Sequence, residues 1–263
     1  MQIANHTAVI TGGCSGLGLA VAKQLVSMGA NVVLIDINSE AGAKQQAELG
    51  ADNTLFINAD VTSEQAISKA LDSAVERFGA IHFCVNCAGI APAERLLNKQ
   101  GEPASLTRFN QTLSINLSGT YNVARLAAAK MAENAPHPDT GERGVIINTA
   151  SIAGYEGQIG QTAYAASKAA IIGLTLPMAR DLSNLGIRVN SIAPGVMGTP
   201  LLTAMPQQVQ DALGANVPFP ARLGSPEEFA HLRLHARRPV SMQSGPLFSG
   251  GRWVDVASGS PNA

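Results

Sequence analysis

Short apolar runs alternate along this chain with longer helix-like segments, and that alternation limits the possible fold more than any other feature. Thr7–Thr11, Asn31–Asp36, Thr54–Asn58, Ile81–Asn86, Gly144–Thr149 and Ile187–Ala193 read as buried strands. Between them the pattern predicts helices over Gly18–Met28, Ser39–Leu49, a segment capped by Thr62 or Ser63 and closed by Phe78–Gly79, Leu106–Met131 and Thr162–Leu182. Glu64 falls in the first turn of the third, where the helix dipole favours an acid. Strand–helix alternation at this spacing implies right-handed crossovers and a doubly wound parallel sheet with helices on both faces, an α/β fold. At 263 residues, 46% hydrophobic and 14% charged, the chain is expected to form one domain over 1–263. Two stretches read as neither strand nor helix: the polar insertion Ala91–Ser105, and a proline-rich loop over about 194–226. Long loops at strand C-termini are where ligands bind in such sheets, so the second is the expected substrate loop.

The bulk numbers exclude several classes. A net charge of −1 offers no field to nucleic acid or an anionic membrane. Met1–Thr7 lacks a charged signal region, and Ala8–Ile10 is too short to span a bilayer. Three cysteines, an odd number in a chain this large, are expected to be reduced, which points to the cytoplasm. Cys84 and Cys87 form a C-x-x-C in and just past a strand, with no second ligand cluster, so a redox or metal role is disfavoured. His231 and His235 have zinc-like spacing but no acidic partner, and no metal is expected.

Thr11-Gly12-Gly13-Cys14-Ser15-Gly16-Leu17-Gly18 joins the first strand to the first helix. Gly12 permits a sharp turn, Gly16 lets backbone approach a pyrophosphate, and Gly18 allows close helix–strand packing. The helix N-terminus offers unpaired N–H groups and partial positive charge to phosphates. Asp36, ending the second strand, stands where a carboxylate accepts both adenosine ribose hydroxyls. It would repel a 2′-phosphate, and no Lys or Arg in the turn compensates, so NAD is expected over NADP. Asp60 and Val61 end the third strand beside the adenine site, with a helix-entry role for Asp60 as the competing reading.

Ser151 follows the fifth strand, and Tyr164 and Lys168 share one face of the next helix. The cation beside the phenol, with a positive nicotinamide, is expected to pull it from about 10 towards neutrality, as a general acid/base requires. Ser151 would hold the substrate oxygen. Asn116, within the preceding helix, is a candidate anchor for a water-mediated proton path to Lys168.

Taken in order, the glycine turn, Asn86-Cys87-Ala88-Gly89, Asn116, Ser151, Tyr164-x-x-x-Lys168 and Pro194-Gly195 resemble the short-chain dehydrogenase/reductase family, a Rossmann fold. The likeness runs from about Thr7 to Leu232. GVIINTAS (144–151), EGQIGQTA (156–163), GLTLPMARDL (173–182) and PFPARLG (218–224) are most similar to its type II 3-hydroxyacyl-CoA dehydrogenase branch, which also oxidises hydroxysteroids. The resemblance implies NAD contacts at Ser15, Leu17, Asp36, Asp60, Val61, Cys87, Tyr164, Lys168, Met197 and Thr199. Gly12, Gly16, Gly18, Ala88, Gly89 and Pro194 belong to the same set. It implies substrate contacts at Ser151, Gln161 and Tyr164, an acyl-CoA or hydroxysteroid-like substrate, and a homotetramer built on the long helices after strands four and five. A polyol or 3-oxoacyl-thioester reductase on the same scaffold, or a non-catalytic NAD-binding protein, are the alternatives.

After Leu232 the likeness stops. Arg233, Arg237 and Arg238 stand where apolar residues are expected, Pro239 would break the helix, and Ser241–Gly251 is loop-like. Trp253–Val256 is expected as a short edge strand out of the family's register. The abrupt change over 233–263 predicts a shifted reading frame or a recent sequence change, with a weakened sheet edge and tetramer.

Overall fold

The computed structural model describes residues 3–235, 247–249 and 252–254. Six parallel strands, β1 (Thr7–Thr11), β2 (Asn31–Asp36), β3 (Thr54–Asn58), β4 (Phe83–Asn86), β5 (Gly144–Thr149) and β6 (Ile187–Ile192), form one sheet in the order β3-β2-β1-β4-β5-β6. It is a Rossmann-like α/β sheet. The order reverses at β1, which pairs with β2 on one side and β4 on the other, Thr11 lying level with both Ile35 and Asn86. The crevice beyond the strand C-termini at that reversal is where the fold places ligands. β1, β4 and β5 are buried along their whole length, which is why their sequences are continuous apolar runs rather than alternating ones.

The sheet divides the core in two. Val9, Cys84, Ile146 and Val189 face α3 (Glu64–Phe78), α5 (Thr120–Ala132) and α6 (Thr162–Leu182), through Ile67, Leu71, Val123, Ala127 and Met178. Ile10, Leu34, Val85 and Ile147 face α1 (Gly16–Ser27) and α9 (Pro226–His235), through Val21, Leu25 and Phe229. Each fully buried aliphatic side chain contributes about 1.5–3 kcal/mol. Local signals set the helix ends: Asn38 caps α2 (Ser39–Leu49) by accepting from Ala41 N, and Ser63 caps α3 by accepting from Ala66 N. Gly79, at φ 84°, closes α3.

The structure departs from the sequence reading in four places. β4 starts at Phe83, not Ile81, and β6 ends at Ile192. The helix expected over Leu106–Met131 is α4 (Leu106–Leu113), a π-helical turn at Ser114–Gly119, and α5. The extra residue of a π-turn re-aims the side chains it carries and often marks a functional site. The loop expected over 194–226 contains α7 (Pro200–Thr203) and α8 (Gln207–Ala215). Pro200 sets the first helical φ of α7, and the Gln/Ala/Leu-rich α8 follows its propensity. Last, Trp253 and Val254 do not edge the main sheet: β8 (Arg252–Val254) pairs antiparallel with β7 (Leu247–Ser249), within the segment expected as loop. Arg233 lies in α9, whereas Arg237, Arg238, Pro239, Asp255 and Val256 lie outside the described residues. No helix among the described residues is long and apolar enough to cross a membrane.

Candidate active site

A cleft of about 430 Å³ opens at the C-terminal ends of the strands around the β1 reversal. Its floor is the glycine turn. Gly12 has φ +61°, and a Cβ there would lie 2.9 Å from Ala88 N; one on Gly18 would lie 2.2 Å from Gly12 O. Both positions therefore exclude a side chain, the first for its conformation and the second for close packing. Thr11 Oγ1 accepts from Cys87 N at 3.1 Å and Ala88 N at 3.2 Å, fastening the turn to the exit of β4. Ser15, the N-cap of α1, makes no side-chain cap bond, and no acid occupies the first turn, so the N–H groups there remain available to an anion. Ser15, Gly16 and Leu17 line the cleft, with Thr199 opposite.

At one end stand Asp36, Ile37, Asp60 and Val61. The Asp36 carboxylate is oriented by Cys14 N (3.2 Å) and Asn38 N (3.1 Å). Among the described residues, Lys168 at the other end is the one cation lining the cleft, and no basic side chain lines the Asp36 end. Asp60 Oδ1 accepts from Thr62 N and Thr62 Oγ1 at 2.8 Å at the entry to α3, and the residue also lines the cleft. This shape fits a dinucleotide, with a glycine cradle in the middle and a fixed carboxylate at one end.

The other end carries Cys87, Ala88, Gly89, Thr149, Tyr164 and Lys168. Ser151 starts a short 3₁₀ turn, its Oγ accepting from Ala153 N at 3.1 Å, and it hydrogen-bonds the Tyr164 phenol. Burial raises the Tyr164 phenol above its usual value, and the Ser151 hydrogen bond works against that rise. Lys168 Nζ donates to Thr149 O at 2.7 Å and sits 5.7 Å from the centre of the Tyr164 ring. Burial lowers Lys168 to about 8, opposed by neighbouring Cys87. Desolvation thus disfavours the charged form of both Tyr164 and Lys168, opposing the cation and the positive nicotinamide that are expected to lower the phenol.

Asn116 sits on the π-turn, fully buried and behind the cleft wall. Its Oδ1 accepts from Ile90 N at 2.8 Å, and its Nδ2 donates to Ile90 O at 2.9 Å and Ser167 Oγ at 3.0 Å. Its backbone carbonyl accepts from Thr120 Oγ1 at 2.7 Å. Asn116 thus fixes the Ile90 backbone and holds Ser167, the residue preceding Lys168. Gln161 Oε1 accepts from Gln158 N at 3.0 Å, and Gln161 bridges to Glu94, knitting two rim loops. Pro194 O accepts from Ile152 N at 3.0 Å, beside Ser151, and Met197 bridges to Gly224. These three shape the surround, while the other expected cofactor positions line the cleft. Ile37, Ile90 and Thr149 are lining residues that the motifs alone did not single out.

Cys84 packs with the α3/α5 core and Cys87 with the opposite one, so the C-x-x-C pair faces apart across the sheet. Burial pushes the Cys84 thiol up to about 12. His231 Nδ1 contacts Glu227 O at 2.8 Å within its own helix. Among the described residues no group of three or more His, Cys, Asp or Glu is placed to hold a metal.

Comparison with known proteins agrees with this geometry. A family model described as "short chain dehydrogenase" matches residues 6–210. The chain is 54% identical over 226 residues to 3-hydroxyacyl-CoA dehydrogenase type-2 of Homo sapiens, covering 86% of each chain. It is 50% identical over 232 residues to the protein of that name from Drosophila melanogaster, covering 88% of this chain and 90% of that one. The crystal structure of 3-hydroxyacyl-CoA dehydrogenase type-2 from Mycobacterium avium superimposes with a TM-score of 0.87 at 41% identity, over 93% and 94% of the two chains. With a glycine-turn cleft that ends on Ser151, Tyr164 and Lys168, the chain belongs to the short-chain dehydrogenase family and is an oxidoreductase acting on CH–OH groups with a nicotinamide cofactor.

Proposed function

We propose that this chain is an NAD-dependent 3-hydroxyacyl-CoA dehydrogenase, interconverting the secondary alcohol of a 3-hydroxyacyl-CoA with its ketone. The observation that carries the reading is the two-ended cleft, with an oriented Asp36 at one end and Ser151, Tyr164 and Lys168 at the other. The naming of relatives at 50–54% identity supports the acyl-CoA substrate. Gly12, Ser15, Gly16, Leu17 and Gly18 would hold the pyrophosphate, and Asp36 the adenosine ribose; Asp60 and Val61 would flank the adenine. Cys87, Ala88, Gly89, Lys168 and Thr199 would surround the nicotinamide half, backed by Pro194 and Met197. When bound, the nicotinamide takes up or releases the hydride. Tyr164 removes the alcohol proton in oxidation and returns it in reduction, and Ser151 holds the reacting oxygen beside the phenol. Lys168 stabilises the phenolate and orients the nicotinamide ribose. Asn116 supports this end by fixing Ile90, and Gln161 frames the substrate entrance.

In this reading the chain is one catalytic domain working in fatty acid metabolism, a homotetramer joined along α4–α5 and α6, in the reducing cytoplasm. NADH oxidation with acetoacetyl-CoA, and NAD reduction with 3-hydroxybutyryl-CoA, test the activity directly. Turnover with hydroxysteroids or polyols but with no acyl-CoA would refute the substrate. Tyr164→Phe is expected to abolish turnover while NAD affinity stays within about threefold, since the phenol oxygen acts on the reacting centre.

A further inference from the structure

We infer that Ser167 is a positioning residue through which the catalytic helix sets the nicotinamide end of the cleft; the inference rests on the dehydrogenase reading above. Ser167 is fully buried, immediately precedes Lys168 on α6 and does not line the cleft. Its hydroxyl donates to Tyr164 O at 2.7 Å and accepts from Asn116 Nδ2 at 3.0 Å. One small side chain thus ties the turn of α6 that bears both Tyr164 and Lys168 to the π-turn that bears Asn116.

Asn116 passes that tie to the cleft wall. Its amide holds both the N–H and the carbonyl of Ile90, leaving the second Nδ2 hydrogen for Ser167. Ile90 and the preceding Gly89 both line the cleft. A Cβ on Gly89 would lie 3.0 Å from Asn116 Oδ1, closer than side chains ordinarily approach, and 3.9 Å from Lys168 Nζ, so Asn116 packs tightly on this wall and Lys168 lies next to it. Ser167 and Asn116 are both fully buried. Removal of the Ser167 hydroxyl leaves a buried N–H without its acceptor, and the network can relieve that only by turning the amide or shifting the wall. Either movement changes the spacing between Lys168 and Gly89–Ile90, and leaves the Asp36 end untouched.

The test compares NADH with ADP, which occupies the adenosine end but carries neither the nicotinamide nor its ribose. For Ser167→Ala, kcat is expected to fall about tenfold or more, because sub-ångström misplacement of catalytic groups carries costs of that order. NADH affinity should weaken severalfold while ADP affinity is unchanged. Ser167→Cys, close in volume but a poor acceptor, should fall between wild type and Ser167→Ala, and decides the matter if the alanine variant does not fold. Parallel loss of both affinities, as a purely structural defect would cause, overturns the proposal, as does an unchanged kcat with an unchanged affinity ratio. A wild-type chain without NAD-linked turnover would refute the dehydrogenase reading instead, and the NADH to ADP ratio would still decide on Ser167.

Discussion

Replacing Lys168 by Met should yield a protein that is inactive yet more stable. Lys168 is 5% exposed, and burial lowers it from the usual 10.5 to about 8. The folded state at pH 7 therefore carries a charged group against a bias of roughly 3 kcal/mol, at 1.36 kcal/mol per pK step. Methionine keeps most of the volume and removes that cost. It also strips Thr149 O of its donor, a charged hydrogen bond of 2.7 Å worth about 1.5–3 kcal/mol. The balance is a gain of about 1 kcal/mol, or about 2–4 °C in Tm for a chain of this size. The pH dependence separates this account from a simple packing gain. Unfolded Lys168 binds a proton up to about 10.5 and folded Lys168 only up to about 8, so wild-type stability rises from pH 8 to 10.5 as the folded amine sheds its charge. The advantage of Lys168→Met should accordingly be largest below pH 8 and shrink above it. Urea denaturation of both proteins at pH 7 and pH 9.5 is the assay. A variant less stable than wild type at both pH values, by the same amount, would refute the reasoning.

Three further outcomes follow from described contacts. Burial, then the neighbouring His6, lowers His82 to about 4, while Thr7 N donates to its Nδ1 at 3.2 Å. The unfolded ring protonates below about 6.5 and the folded ring only below about 4, so stability should be lost across that window, by up to roughly 3 kcal/mol, and His82→Asn should flatten the loss in urea melts at pH 7 and 4.5. Asp36→Ala should weaken NAD binding about tenfold or more and narrow the preference over NADP, read by calorimetric titration with each cofactor. Gly18→Ala places a Cβ 2.2 Å from Gly12 O, so cofactor affinity should fall sharply even where circular dichroism shows a folded chain; unchanged affinity would mean the turn can open without cost.

The strands at the centre of the sheet were the most legible part of the chain. β1, β2 and β5 end where the apolar runs end, because a strand covered on both faces leaves an uninterrupted signature. Periodicity could not reveal the π-turn at Ser114–Gly119, since one inserted residue hardly disturbs a helical pattern. Gly119, at its end, packs so closely on Val61 that a Cβ there would meet Val61 Cγ2 at 2.5 Å. α7 and α8 were masked by prolines that read as loop, although Pro200 stands at a helix start where its missing N–H costs nothing. In the site, Tyr164 and Lys168 were legible from helical spacing, and Ser151 from its place after β5. Thr149 and Ser167 were not, because each acts through a partner distant in sequence. Spacing reports the proximity of Lys168 to the phenol and says nothing of the desolvation that opposes its ionisation.

The packing of α9 on α1 bears on how the chain can be made. Phe229 and Ala230 fill the same core as Val21 and Leu25, so the helix that presents the phosphate-binding turn is covered by one of the last described segments of the chain. During synthesis from the N-terminus, the cofactor turn emerges early but waits with an apolar face uncovered until about two hundred further residues have followed. Until then that face is open to chaperones and to other nascent chains, and early binding of the dinucleotide cannot make up for the missing cover. The order of synthesis thus makes the cofactor half, first to be written, among the last parts to become native.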